Sequence, residues 1–186
     1  MTARRLATTA KVLSSAAELF AAHAYADVSV DQIAQRAGVT KMTLYQHFRS
    51  KDDLALDCLR MRLSRREERL DQFLAGLDAG VDPLIAIFDW LDEWLDPKHF
   101  KGCAFVKAVN ELAAVLPEVQ VIAADAKQRI RQRFTALARR SGRPRPAELG
   151  QELALLFEGA QSLALIECSA RPARVARQIA RLLLHA

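Results

Sequence analysis

The sequence predicts an all-α protein of about nine helices, and three observations carry that prediction. Apolar residues recur at three- and four-residue spacing along the whole chain, with no stretch that alternates as a strand would. Helix-starting signals recur too: Ser29 with Gln32, Thr40, Ser50 with Asp53, and Asp82 before Pro83. Only 7 Gly and 6 Pro interrupt a chain that is 51% hydrophobic, a composition of helices joined by short turns.

The elements follow in order. Leu13, Ala16, Ala17, Phe20 and Ala21 form the buried stripe of a first helix over roughly 9–22. Ser29 and Gln32 make a capping box for a short second helix whose core face is Ile33, Ala34 and Ala37, and Gly38 ends it. Thr40 caps a third helix through about Phe48, and Ser50 with Asp53 opens a long fourth ending near Phe73 or Leu74. Asp82 and Pro83 start a fifth, to about Leu95. A sixth is expected over 103–116, a seventh from Pro117 to about Arg140, an eighth over 147–169 and a ninth from Pro172 to the end. Along the fourth helix, short capped helices give way to long apolar ones. This places one domain at 1–50 and another at 51–186.

The totals exclude several classes. No run of apolar residues is long enough for a membrane span, and the basic start "MTARRLATTAKVLSSAAELF" lacks the unbroken apolar core of a cleavable signal. Cys58, Cys103 and Cys168 lie far apart in no metal-ligand spacing and read as reduced thiols in a cytoplasm. His23, His47, His99 and His185 are scattered, and no nucleophile–base pairing, metal motif or phosphate loop appears, so neither an enzyme nor a bound cofactor is expected. The net charge of +5 favours a polyanionic partner only weakly. The basic run "RIRQRFTALARRSGRPR" is read as a solvated helix face.

Position says more than charge. Helices 2 and 3, joined by "AGVT", have the form of a helix-turn-helix, with Gly38 supplying the positive backbone torsion of the turn. Val39 and Leu44 are expected to face Ile33 and Phe20, which leaves Lys41, Met42, Thr43, Tyr45 and Gln46 outside. Such a helix fits the major groove of double-stranded DNA, with its first residues against base edges. Lys41 suits guanine acceptors, and Met42 and the Thr43 methyl suit a thymine methyl. Tyr45, His47 and Lys51 are spaced to reach phosphates, as are the amides at the starts of helices 2 and 4.

The stretch "AAELFAAHAYADVSVDQIAQRAGVTKMTLYQHFRSKDDL" closely resembles the DNA-binding region of the TetR family of bacterial transcriptional regulators, over about Ala10 to Leu59. The resemblance implies a dimeric, all-helical repressor on a palindromic operator, released when a small inducer binds its C-terminal domain. By position it assigns DNA contacts to Ser29, Thr40, Lys41, Thr43, Tyr45, His47 and Lys51. There are two departures. Ala24 stands where the family usually has glycine, and a non-glycine residue held left-handed there would cost roughly 1–2 kcal/mol. Met42 replaces a common glycine and puts an apolar side chain into the groove.

"GCAFVKAVNELA" and "LALLFEGAQSLALIE" resemble the family's helices 6 and 8 more loosely. The resemblance implies a homodimer through the last two helices. Gly159, Ala160 and Ala164 would allow close approach, Val175, Ile179, Leu182 and Leu183 would supply an apolar face, and Arg174, Arg177 and Arg181 would stay solvated. It also implies a pocket among helices 4 to 8 for a largely apolar inducer. Asn110 and Gln161 share helix faces with apolar residues and are candidate ligand contacts, with Trp90, Phe105 and Phe157 as candidate lining beside Phe88 and Trp94. Cys103, at a helix start near Lys98, His99, Lys101 and Lys107, is a candidate thiol switch; burial as an inert thiol is the competing reading. A DNA-binding regulator without any small-molecule switch is the other alternative.

Overall fold

The computed structural model describes residues 3–185, and the protein is all-α. Among the described residues no helix is long and apolar enough to cross a membrane. The chain divides into two compact units, Met1–Arg65 with Ala104–Ala123, and Arg66–Cys103 with Ala124–Ala186.

The first unit holds α1 (Ala3–Ala22), a 3-10 turn (Tyr25–Asp27), α2 (Val30–Ala37), α3 (Lys41–His47), the beginning of α4 (Lys51–Ala75) and α6 (Ala104–Leu112). Its core is Val12, Ala16 and Ala17 of α1, Val28, Ile33 and Ala34 around α2, Leu44 and Phe48 around α3, and Leu54 and Cys58 of α4. α1 therefore starts six residues before the expected Thr9, and its buried apolar positions are Val12, Ala16 and Ala17, whereas Leu13, Phe20 and Ala21 are only partly buried. Ala24 is extended, at φ −64° and ψ 147°, so the expected left-handed strain is absent: the chain enters the 3-10 turn through a conformation any residue adopts. α6 stops at Leu112 instead of Leu116, because Pro117 disfavours helical torsions at the residue before it and the chain leaves through tight turns. The inward side of α6 is Phe105 and Leu112. Asn110 and Val106 lie on the opposite side and are exposed, which corrects the expectation that Asn110 is a buried polar group.

The second unit holds the remainder of α4, α5 (Pro83–Trp94), most of α7 (Glu118–Arg140), α8 (Pro146–Glu167) and α9 (Arg171–His185). α5 buries Leu84, Ile87, Phe88 and Leu91 at helical spacing against Ile130 and Phe134 of α7 and Leu153 and Phe157 of α8. Gly150 fixes one crossing: a Cβ there would lie 2.1 Å from Thr135 Oγ1 and 2.7 Å from Thr135 N, so α8 meets the backbone of α7 where no side chain fits. α9 packs on the core through Ala173, Ala176, Ala180 and Leu184.

The small residues of α8 are used differently from expectation. Ala160 and Ala164 are buried in the core of the second unit, and Leu183 packs against the same core. The exposed apolar stripe is instead Leu155, Leu163 and Ile166 on α8, with Gly159 between them, and Val175, Ile179 and Leu182 on α9. Nor are Arg174 and Arg177 merely solvated, although Arg181 is exposed as expected. Arg177 Nε lies 2.9 Å from Asp89 Oδ1 and Arg174 Nε 3.8 Å from Asp92 Oδ1, tying α9 to α5.

Candidate nucleic-acid interface

Local sequence explains the rigidity of the α2–turn–α3 segment. The Ser29 hydroxyl accepts from Gln32 N at 3.2 Å while Ser29 N donates to Gln32 Oε1 at 2.6 Å, a complete capping box. Gly38 ends α2 at φ 66°, and its N–H donates to the carbonyls of Ala34 and Gln35. Thr40 Oγ1 accepts from Thr43 N at 3.1 Å and lies 2.9 Å from Thr43 Oγ1, so both threonines serve the start of α3. Leu44 is fully buried and is the one side chain of α3 that enters the core. Truncating such a leucine costs about 2–5 kcal/mol, enough to hold a seven-residue helix that could not persist alone.

With Leu44 inward, the opposite face is open. Met42 is 73% exposed and Tyr45 47%, both in the first two turns of α3. Lys41 Nζ reaches Asp31 Oδ2 of α2 at 3.0 Å; both are exposed, and the carboxylate raises the lysine above its usual range, so it remains cationic. An exposed pair of this kind exchanges readily for a stronger acceptor.

His47 and Lys51 face differently. Thr9 Oγ1 donates to the Arg5 carbonyl at 3.0 Å and lies 2.8 Å from His47 Nδ1. The hydroxyl thus holds the imidazole through Nδ1, which leaves Nε2 as the second polar atom of the ring. Lys51 Nζ donates to the carbonyls of Tyr25 at 2.7 Å and Val28 at 2.8 Å and sits 3.9 Å from the centroid of the Tyr25 ring. Burial lowers its pKa. The ammonium expected to reach a phosphate is thus committed to the turn before α2.

Two cations that sequence reasoning passed over lie beside α3. An open groove of about 1010 Å³ is lined by Arg5, Thr8 and Lys11 of α1 together with Thr40, Thr43 and His47. Arg5 Nη2 also donates to the Gln46 carbonyl at 3.4 Å. The available signal was Lys11 itself, a cation at an exposed position of α1 next to buried Val12.

The expected ligand-contacting residues divide between the units. Phe105 and Asn110 belong to the first; Trp90, Phe157 and Gln161 belong to the second. Phe157 is fully buried, and Trp90 stacks on it at 6.5 Å and on Trp94 at 5.8 Å. Gln161, 3% exposed, donates through Nε2 to the Phe157 carbonyl and to Glu158 Oε2, each at 3.3 Å. Glu158 Oε2 also pairs with Lys127, whose Nζ lies 3.2 Å from Cys103 Sγ. The cation beside Cys103 is therefore Lys127, 24 residues away, whereas Lys107 is engaged with backbone carbonyls at the end of α1 and His99 with Asp96. Glu158 Oε1 is buried with no partner, an acceptor that the sequence did not single out.

Residues 12–58 match the family described as bacterial regulatory proteins, tetR family. MftR of Mycobacterium tuberculosis, named as a transcriptional regulator of mycofactocin biosynthesis, is 35% identical over 115 residues, 60% of this chain and 58% of that protein. FasR of Mycolicibacterium smegmatis, a transcriptional activator, is 46% identical over 67 residues, 36% of this chain and 27% of that protein. The matched stretches thus span less than two thirds of these relatives. A TetR transcriptional regulator from Chloroflexus aurantiacus has a similar crystal structure, with a TM-score of 0.81 and 25% identity over 96% of this chain and 94% of that one.

Proposed function

We propose that the chain, whose residues 12–58 match the tetR family of bacterial regulatory proteins, is a TetR-family transcriptional regulator that binds a near-palindromic DNA operator as a homodimer. The observation that carries the proposal is the exposed face of α3. A capped helix is locked inward by Leu44 while Met42 and Tyr45 stand in solvent and Lys41 holds only an exposed partner. Met42, 73% exposed at the start of the helix, contributes nothing to the core, and its apolar side chain suits a thymine methyl in the major groove.

In this reading Lys41, Met42 and Thr43 meet base edges. Tyr45, His47 and the α1 cations Arg5 and Lys11 meet phosphates, and Ser29 and Thr40 serve as caps whose neighbouring amides face the backbone. Lys51 contributes by holding the turn before α2. The exposed stripes on α8 and α9 are the surface proposed to pair with a second copy, which gives two recognition helices and a palindromic site.

A small, largely apolar inducer is proposed to act on the second unit near Trp90 and Gln161, with Glu158 Oε1 as the acceptor for a donor group on the ligand. The 3.2 Å approach of Lys127 to Cys103 favours a second mode of release, in which modification of the thiol breaks the Lys127–Glu158 pair.

The test is selection of duplexes from a random pool by the purified chain, followed by gel shift. Recovered palindromes bound in preference to scrambled duplex support the reading, and recovery of no common sequence overturns it. Alkylation of Cys103 that leaves binding intact eliminates the thiol mode.

A further inference from the structure

Tyr25 sits in the turn between α1 and α2, and all its polar groups are engaged. Its N–H donates to Glu111 Oε2 at 2.8 Å, its carbonyl accepts from Lys51 Nζ at 2.7 Å, and its hydroxyl donates to Asp52. The same Lys51 bonds the Val28 carbonyl, directly before the Ser29 cap that starts α2. α4 therefore holds this turn from one flank. The other flank is held by α6, more than 80 residues away in sequence.

The end of α1 explains why. A helix finishes with carbonyls that have no intrahelical donor and with negative potential, which a basic side chain in the last turn usually relieves. α1 has no basic residue there. Lys107 of α6 supplies the missing cation, donating to the carbonyls of Phe20 at 2.9 Å, Ala21 at 3.4 Å and His23 at 2.8 Å. One turn later on α6, Glu111 takes the Tyr25 amide and lies 3.9 Å from Lys107. A single face of α6 thus offers a donor to the last carbonyls of α1 and an acceptor to the first amide of the 3-10 turn, gripping both sides of the bend.

We propose that Lys107 and Glu111 are positioning residues for operator recognition, α6 setting the angle at which α2 and α3 leave α1. The inference rests on the DNA-binding reading. Neither residue has to touch DNA; each acts through Tyr25 and the α1 carbonyls. Because Met42 and Lys41 must meet particular base edges, a bend freed by one lost grip harms base readout more than phosphate contact, which tolerates small rotations.

The experiment compares the chain with Lys107→Met, Lys107→Arg, Glu111→Leu and Glu111→Gln by fluorescence anisotropy on a selected operator and on scrambled duplex, alongside melting temperature and hydrogen exchange. Lys107→Met and Glu111→Leu should lose at least tenfold in operator affinity and less than about threefold on scrambled duplex. Their salt slope should be unchanged, amides of 28–37 should exchange faster, and Lys107→Arg should recover most of the loss, while Glu111→Gln, which keeps an acceptor for the Tyr25 amide, should lose less than Glu111→Leu. Wild-type specificity in both Lys107→Met and Glu111→Leu overturns the proposal, and so does an equal loss on both duplexes. If Lys107→Met does not fold, Glu111→Leu, which removes the acceptor at similar side-chain volume, decides alone. A wild-type chain that prefers no duplex refutes DNA binding instead, and exchange over 28–37 then decides the grip by itself: faster in the variants supports it, unchanged overturns it.

Discussion

Replacing Gly38 by alanine isolates the cost of the turn between α2 and α3. Gly38 has φ 66°, and a Cβ built on it meets nothing within 4 Å, so the substitution adds no clash and removes no contact. What remains is torsional: an L-residue held left-handed costs roughly 1–2 kcal/mol. For a chain of this size that corresponds to a fall in melting temperature of about 2–8 °C. Asparagine tolerates this region better, so Gly38→Asn should cost less than Gly38→Ala. Gly150 provides the contrast, because its Cβ would strike Thr135 backbone atoms at 2.7 and 2.9 Å, and Gly150→Ala should destabilise well beyond the torsional range. Differential scanning calorimetry of the three variants, with far-UV circular dichroism to confirm helix content, makes the comparison. An unchanged melting temperature in Gly38→Ala would show that the turn relaxes to negative φ without cost, and a loss as large as that of Gly150→Ala would show a hidden clash; either refutes the reasoning.

Met42→Ala should shift base preference at one or two operator positions by about tenfold while leaving scrambled-duplex affinity unchanged, as read by anisotropy on a substitution panel. Tyr45→Phe should weaken binding to all duplexes by a similar factor, because it removes a phosphate partner without touching base readout. Lys51→Ala should lower stability by about 1–3 kcal/mol, since two carbonyls lose a charged donor, and urea denaturation without DNA would detect it. Burial pushes the Cys58 thiol up to about 12, so the folded state keeps a proton that the unfolded thiol releases near its ordinary value of 9.0. That contribution to stability is present below pH 9 and falls as pH rises toward the folded value. Iodoacetamide at pH 9.5 should accordingly label exposed Cys168 in minutes and Cys58 only in denaturant, which mass spectrometry resolves.

Much of this was legible because it is local. Caps, the Gly38 stop and the spacing of Ile33, Ala34 and Leu44 act within a few residues, and they located α2 and α3 to within a residue or so. The departures have long-range causes. Lys51 looked like a phosphate ligand because nothing near it in sequence reveals the two carbonyls it meets 23 and 26 residues earlier. Lys107 looked like a neighbour of Cys103, yet the carbonyls it serves lie 84 to 87 residues away. Asn110 was placed with Val106 on an inward face, but α6 is only nine residues long and turns Phe105 and Leu112 inward, leaving both outside. Ala160 and Ala164 were small enough to suit either a core or an interface, and only the packing of α5 and α9 around α8 assigns them to the core.

The central claim is sequence-specific DNA recognition by a pair of these chains. Fluorescence anisotropy of a selected palindromic duplex and its scrambled counterpart, titrated with the chain over a series of salt concentrations, tests it most directly. Saturation is expected at two chains per palindrome, with at least about a thousandfold preference over scrambled duplex at physiological salt and affinity for both that falls steeply and linearly in log–log form as counterions are released. Equal affinity for the two duplexes at every salt concentration would contradict it.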